Sequence, residues 1–180
     1  FSRLGYSVEV AQVLQGCCVT HEMDVIATKE QSQHLMECKY HQDQGKQVSV
    51  QVPLYVRSRV NDIVKKRTSL PEYQNFEFTG WVVTNTRFST DSIDYGNCAE
   101  LKLLAWSYPE GNGLKEMLER EKVLPVTILS KITAKEKQLL MDQGIVTCRQ
   151  LLDKFDTLDW SHLTASKRQA LANELAGLSI

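Results

Sequence analysis

Two short apolar segments carry charged side chains at a spacing that could do chemistry. Asp24 lies in the segment MDVIAT, and Glu37 and Lys39 lie in the segment LMECKY. Residues two apart on a strand point to the same face, so Glu37 and Lys39 would project together. Carboxylate oxygens are the ligands that a hard divalent cation takes, and a nearby lysine can offset charge that builds up on a phosphate. The pattern predicts metal-dependent phosphodiester hydrolysis, with Asp24, Glu37 and Lys39 as the catalytic group.

A structural interpretation of the same three residues stays open at this point. Glu-x-Lys on a strand is a short and common pattern, and it would also fit an exposed hairpin that carries one cross-strand ion pair. Such a pair stabilises a protein by at most about 1 kcal/mol. The residue types alone do not decide between a catalytic group and this ordinary surface hairpin.

The two segments are expected to form a hairpin that brings the three side chains together. A polar connector, KEQSQ, separates them, and its length suits antiparallel neighbours. The expected register pairs Thr28 with Gln33. This register places Asp24 opposite Glu37, and a shift of two residues would place Asp24 opposite Lys39.

The rest of the chain predicts an α/β core followed by a small all-helical domain. Strand signals stop after Pro125, where polar cap residues and a glycine punctuate short helical segments. We therefore expect a core over residues 1–124 and a helical domain over residues 125–180. The further expected elements are strands at 6–13, 78–85 and 101–106, and helices at 48–66, 90–98, 114–121, 133–142, 147–155 and 164–178.

Composition sets the broad class of the protein. The chain has 180 residues, 42% of them hydrophobic, and a net charge of −1, so the whole molecule does not have the strong positive charge of a typical polyanion binder. No apolar stretch reaches the roughly 18 residues of a membrane span, and the first residues lack a signal pattern. The five scattered cysteines suggest reduced thiols, and we expect a cytoplasmic location. Residues 1–5 read as the end of a helix, which suggests a regulatory domain or other segment upstream.

Three segments in order carry a resemblance to a known family. They are HEMDVIA at residues 21–27, MECKY at 36–40 and GWVVTNTRFSTD at 80–91. Together they resemble the Mrr-type restriction endonuclease branch of the PD-(D/E)XK superfamily over about residues 4–114. Met23 stands where the superfamily name has a proline.

The resemblance implies a fold, an activity and a metal site. The implied fold is a restriction-endonuclease-like mixed sheet flanked by helices, and the implied activity is a DNA nuclease of the restriction or DNA-processing type that uses Mg²⁺ or Mn²⁺. Asp24 and Glu37 would be metal ligands, the backbone carbonyl of Cys38 would be a third, and Lys39 would be the catalytic lysine. Many relatives add an acidic residue from a helix before the first strand, and this chain starts after that position.

Residues that would contact DNA are expected outside the catalytic group. Gln51 and Tyr55 are similar to the Q-x-x-x-Y motif of exonuclease-like relatives, and they would share a helix face. Arg57 belongs to a basic stretch that also reads as a solvated helix face. Arg87 closes the strand at 78–85 and could reach a phosphate or lie in solvent. Gly144 centres a segment that resembles a helix-hairpin-helix element, for which DNA binding and protein contact are both open.

The expected partner is DNA, with a homodimer left open and no membrane involved. The alternative function is a catalytically silent nuclease fold that binds DNA or protein as the output domain of a larger regulated protein. Metal dependence separates the two interpretations, because a catalyst should bind a divalent cation at Asp24 and Glu37.

Overall fold

Five strands form one mixed sheet in this computed structural model, which describes residues 1–178. The order across the sheet is β1-β2-β3-β5-β7, and β4 pairs separately with β6. The pairs β1–β2 and β2–β3 are antiparallel, whereas β3–β5 and β5–β7 are parallel. The strands are β1 (Ser7–Gln15), β2 (Thr20–Lys29), β3 (Ser32–Lys39), β4 (Gln47–Val48), β5 (Glu77–Thr84), β6 (Arg87–Phe88) and β7 (Lys102–Leu104).

Six α-helices complete the described chain, and they confirm the expected α/β class. The helices are α1 (Gln51–Arg67), α2 (Thr90–Cys98), α3 (Leu114–Arg120), α4 (Ala134–Asp142), α5 (Cys148–Lys154) and α6 (Ala165–Ala176). The chain divides into a first unit, Phe1–Glu116, and a second unit that begins at Met117. The expected boundary at residues 124/125 lies further along the chain than this division, which falls inside α3.

The helix α1 crosses from β3 to the parallel strand β5 and covers the sheet. Its buried residues Val56, Val60 and Ile63 recur at helical spacing, and Pro53 lies in its first turn, where a missing N–H costs no hydrogen bond. The predicted helix began at residue 48, but Val48 belongs to β4, whose two residues are too short to produce a periodic pattern. The strand β5 lies inside the sheet. From Thr79 to Thr84, its partly buried residues alternate with buried ones.

A single apolar core holds the first unit together. It joins the sheet, α1 and α2, and two glycines let these layers approach closely. A Cβ on Gly80 would lie 2.7 Å from Leu101, and a Cβ on Gly96 would lie 2.7 Å from Leu103. The buried residues are Met23, Ile26, Leu35, Val48, Val56, Val60, Ile63, Val82, Phe88, Leu101, Leu103 and Ala105.

The second unit is helical, as the sequence predicts, and has its own core. Thr133 with Glu136, and Thr147 with Gln150, form capping boxes at the starts of α4 and α5. Gly144 has a φ of +75°, which lets the chain turn sharply between these two helices. No strand within residues 117–178 joins the main sheet. The buried residues are Val126, Leu129, Ile132, Leu140, Ile145, Cys148, Leu151, Trp160, Leu171 and Leu175.

None of the helices in residues 1–178 combines the length and the apolar character needed to span a membrane.

Candidate active site

The β2–β3 hairpin has the expected register. Thr28 pairs with Gln33, and the pairing continues to Val25 and Met36. Extending the same register by one residue brings Asp24 beside Glu37, just past the last paired residues of the two strands. The hairpin therefore presents both carboxylates at one place on the sheet.

The Asp24 side chain accepts a hydrogen bond from the backbone of the neighbouring strand. The backbone N–H of Cys38 donates to Asp24 Oδ2 at a distance of 2.6 Å. An amide that points at a carboxylate in this way fixes the side-chain rotamer and leaves Asp24 Oδ1 for another partner. Asp24 is half-buried, so this second oxygen is placed at the border between the sheet and solvent.

Glu37 is buried and holds two cations. The residue is only 6% exposed. Lys39 Nζ donates to Glu37 Oε1 at 2.6 Å, and Arg59 Nη1 donates to Glu37 Oε2 at 2.7 Å. Removing a carboxylate from water is unfavourable unless it is paired and hydrogen-bonded. Lys39 and Arg59 meet that requirement at both oxygens. The carboxylate in turn fixes where these two cationic groups lie.

Arg59 is the residue of this site that sequence reasoning missed. It comes from α1, is 8% exposed, and its guanidinium lies 5.0 Å from the centre of the Tyr55 ring. The signal was present, because Tyr55 and Arg59 are four residues apart and therefore share a helix face. The basic residues around Arg59 hide this signal, because together they are typical of a solvated helix face.

Asp24, Glu37, Tyr55 and Arg59 line a cavity of about 430 Å³, whereas Lys39 contacts Glu37 but does not line it. The cavity opens between the β2–β3 hairpin and α1, so strands supply the carboxylates and the helix supplies the cation and the ring. Its lining residues are Thr20, His21, Glu22, Asp24, Glu37, Tyr55 and Arg59.

His21 lines the cavity, and an aspartate of α1, Asp62, holds its imidazole ring. His21 Nε2 lies 2.8 Å from Asp62 Oδ2, and the backbone amides of Cys18 and Val19 also donate to Asp62. The hydrogen bond with His21, followed by those two amide bonds, holds the pKa of Asp62 well below its usual range. Asp62 thus fixes the imidazole and anchors the turn between β1 and β2 to the helix.

Cys38 remains a thiol at neutral pH. Desolvation, followed by the negative charges of Asp24 and Glu37, raises the pKa of the Cys38 thiol to about 11. A protonated thiol is a poor nucleophile and a poor metal ligand. Any contribution of this residue to a metal would therefore come from its backbone carbonyl and not from sulfur.

The residues expected to contact DNA fall in different places. Tyr55 lines the cavity described above, whereas Gln51 is exposed at the first residue of α1 and does not line it. Arg57 lines a separate cavity of about 790 Å³. Arg87 is exposed and donates to the carbonyl of Gly45 at 3.2 Å. Gly144 lies in the second unit, in the turn between α4 and α5.

Three carboxylates line the cavity, those of Glu22, Asp24 and Glu37. Within residues 1–178 there is no cluster of three or more His, Cys, Asp or Glu side chains arranged to hold a metal ion. The oxygen donors that the site offers are these carboxylates and neighbouring backbone carbonyls. This set can serve a cation that keeps several of its waters, and it cannot enclose one completely.

Comparison with known proteins identifies relatives. The family described as "AF1548-like, C-terminal" matches residues 124–179. An "Uncharacterized protein" from Archaeoglobus fulgidus is 31% identical over 148 residues, which cover 82% of this chain and 79% of that protein. A solved structure, "Crystal Structure of Protein of Unknown Function AF1548", has a TM-score of 0.76 at 29% identity and covers 97% of this chain and 90% of its own. The chain belongs to the family of these proteins, the AF1548-like family.

Proposed function

We propose that this protein is a metal-dependent nuclease that hydrolyses phosphodiester bonds of DNA. The observation that carries the proposal is the cavity in which Asp24 and Glu37, from adjacent strands, lie beside one another while Lys39 bonds to Glu37. Two carboxylates and a lysine at the end of a hairpin are the groups that this chemistry needs. The proposed fold of the first unit is accordingly the restriction-endonuclease-like variety of α/β sheet.

The donor set fits a hard divalent cation, Mg²⁺ or Mn²⁺. Asp24 and Glu37 would hold it, and the carbonyl of Cys38 would be a third oxygen ligand. Mg²⁺ is commonly bound by one or two carboxylates and keeps several waters, so Asp24 and Glu37 would be sufficient as its charged ligands. When bound, such an ion polarises a phosphate and lowers the pKa of a coordinated water.

The cationic side chains have separate roles in this proposal. Lys39, whose side chain is 34% exposed, can leave Glu37 and reach an attacking water or a phosphate oxygen. Arg59 is more buried and keeps Tyr55 against it, so its part is to hold Glu37 and to add positive charge on the helix side of the cavity. Both cations would stabilise the extra negative charge of a phosphorane-like transition state.

The second unit would bind DNA without reading its sequence. The turn at Gly144 between α4 and α5 is similar to a helix-hairpin-helix element, in which backbone amides contact a phosphate. This part of the proposal rests on the resemblance and on the positive φ of Gly144.

Plasmid nicking with Mg²⁺ or Mn²⁺ tests the proposal. Glu37→Gln and Asp24→Asn should lose metal binding and cleavage together, because each removes a charged ligand. Lys39→Ala should keep metal binding and lower cleavage by about 100-fold or more, because the lysine acts on the water and the transition state. Lys46→Ala and Glu9→Gln are matched controls at exposed positions and should behave like the parent protein.

A protein that nicks DNA equally well after Glu37→Gln or Lys39→Ala would contradict this assignment of the site.

The second candidate function, a catalytically silent module that binds DNA or protein, is favoured by one observation. Both oxygens of Glu37 accept hydrogen bonds from cations of the chain, so Lys39 and Arg59 compete with a metal for the same carboxylate. A silent module would show no nicking with either ion and no change in melting temperature when Mg²⁺ or Mn²⁺ is added.

A further inference from the structure

A second cavity, of about 790 Å³, lies on the first unit and shares no lining residue with the candidate active site. It is formed by one face of α1, the carboxyl end of α2, and residues of β5 and β7. Its volume is in the range of pockets that hold one small organic ligand.

Positive charge exceeds negative charge along the wall of this cavity. Arg57, Lys65 and Lys102 line it, opposed by Glu100. Over residues 1–178, none of these three cations forms a salt bridge or a side-chain hydrogen bond, whereas Arg59 of the same helix is paired with Glu37. In a chain whose net charge is −1, this is a local excess of positive charge over a concave surface. Such a surface attracts anions.

Part of the lining of the same cavity is apolar, and this part is called its apolar floor. Val60, Leu101 and Leu103 belong to it and are buried, and Phe78 and Tyr108 are partly buried lining residues. A bare inorganic anion would use the cations and leave this apolar surface in water. The combination of cations with apolar and aromatic side chains suits an anion that carries an organic body.

A groove of about 620 Å³ connects this cavity to the candidate active site through shared lining residues. His21, Tyr55 and Arg59 line both the groove and the active-site cavity. Asn61 and Lys65 line both the groove and the larger cavity. The three depressions therefore follow one another around α1.

We propose that the larger cavity binds the phosphate group of a nucleotide, either a free mononucleotide or one residue of a nucleic acid strand. The guanidinium of Arg57 can take two phosphate oxygens, Lys65 and Lys102 act as point charges, and the apolar floor accepts the organic part. Binding of a nucleic acid strand rests on the proposed function, because this cavity would then hold a second phosphate of the strand whose scissile phosphate lies in the candidate active site. Binding of a free mononucleotide is independent of that function.

Binding measured without divalent ions tests the site and separates the two sources of phosphate. The probes are thymidine monophosphate, by calorimetry, and a short single-stranded oligonucleotide, by fluorescence anisotropy across a salt series. Lys65→Gln and Arg57→Gln should each weaken binding about tenfold, the loss typical of one hydrogen bond to a charged group. For the oligonucleotide, each change should also reduce the slope of log K against log salt by about 1.

Lys66→Gln is the matched control, because Lys66 is the next residue of α1 and does not line the cavity. It should leave both affinities unchanged. Lys65-dependent binding of the mononucleotide supports the free source, and Lys65-dependent binding of the oligonucleotide alone supports the strand source. The proposal is overturned if neither probe binds saturably, or if Lys66→Gln weakens binding as much as Lys65→Gln does. Because no metal is present, a failure of the nuclease proposal leaves this measurement interpretable.

Discussion

Glu37 is the buried carboxylate of the candidate active site, and both of its oxygens accept hydrogen bonds from cationic side chains. Lys39 and Arg59 neutralise it from opposite ends of the carboxylate. A buried charge that loses its partner costs much more than the pair gains, so the three side chains are energetically one group. A metal ion at this carboxylate would replace part of the positive charge that Lys39 and Arg59 supply.

Replacing Arg59 tests this coupling without measuring activity. Arg59→Met keeps the apolar stem and removes the charge, so Glu37 keeps only Lys39. We expect the free energy of unfolding to fall by about 3 kcal/mol, as for other broken buried pairs. Under the proposed function the loss should shrink when Mn²⁺ is added, because the ion restores positive charge at Glu37. Thermal and urea denaturation with and without Mn²⁺ measure both effects.

Arg57→Met is the control for that experiment, since Arg57 lies on the same helix and forms no ion pair within the described chain. Its stability should change little in phosphate-free buffer. An Arg59→Met protein as stable as the parent would show that Lys39 alone compensates Glu37. A loss that Mn²⁺ leaves unchanged would count against a metal at this carboxylate.

At the scale of elements, the turn between β1 and β2 is fixed to α1 by Asp62. The amide of Cys17 donates to the Asp62 carbonyl at 3.1 Å, and the carboxylate takes the next two amides and His21. Gly16 lies against this aspartate, and a Cβ there would be 2.6 Å from the carbonyl oxygen of Val19 and closer still to the Asp62 carboxylate. Asp62 thus anchors to α1 the turn that precedes β2, the strand that carries Asp24.

Gly16→Ala should loosen that anchor. We expect it to lower the free energy of unfolding by about 1–3 kcal/mol, the usual range for overpacking, because the turn or Asp62 must move. Urea denaturation measures the change. Gly45→Ala is a suitable control, because the atom that its Cβ would meet is the end of the Asp43 side chain at 3.1 Å, in an exposed loop. Equal stability of the two variants would show that the anchor is not needed for folding.

The first turn of α4 is tied to α6 through one carboxylate. Lys167 Nζ lies 2.7 Å from both oxygens of Glu136, and the Thr133 amide donates to Glu136 Oε2 at 2.6 Å. The hydrogen bond from Lys167, followed by that from the Thr133 backbone, lowers the pKa of Glu136 to about 2. The folded state therefore favours the ionised form.

This lowered pKa makes the stability of the helical unit depend on pH. A carboxyl whose pKa is lower in the folded state stabilises the fold above its ordinary pKa of 4.5, and the contribution disappears as pH falls to about 2. Glu136→Gln should cost about 1–2 kcal/mol at pH 7, a value reduced by solvent screening, and progressively less in acid. Urea denaturation at several pH values measures this, with exposed Glu119→Gln as control. A cost that stays constant down to pH 3 would contradict the role of the charge.

The elements also mark what sequence could predict. The antiparallel pairing of β2 with β3 followed from the short polar connector, which left two registers open, with Asp24 opposite Glu37 or opposite Lys39; the structure has the first of these. The caps at Thr133, Thr147 and Thr164 followed from local residue types. The pairing of Arg59 with Glu37 could not be predicted in this way, because it joins residues 22 apart in sequence through the way α1 packs on the sheet.

At the scale of the whole molecule, each unit has an apolar core of its own. The core of the first unit and the core of the second have no residue in common. The division of the chain falls inside α3, so a cut after this helix keeps every residue of the first core. Independent cores of this kind are what domains that fold on their own possess.

Ending the chain at Val123 tests whether the first unit is self-sufficient and what the helical unit adds. The shortened protein should keep a cooperative thermal transition, because every residue of the first core remains. If Mn²⁺ binds at Asp24 and Glu37, the rise in melting temperature that it causes should also remain, since both residues lie in the retained unit. Under the proposed function, affinity for a DNA duplex should fall, and the slope of log K against log salt should become shallower by about 1 for each phosphate that the shortened protein no longer binds. Gly144→Val in the 180-residue chain is the partner experiment, because a β-branched residue at a φ of +75° is strained and should distort the turn. If both proteins bind DNA as tightly as the parent does, with the same dependence on salt, the helical unit has no part in DNA binding and protein contact becomes its better assignment.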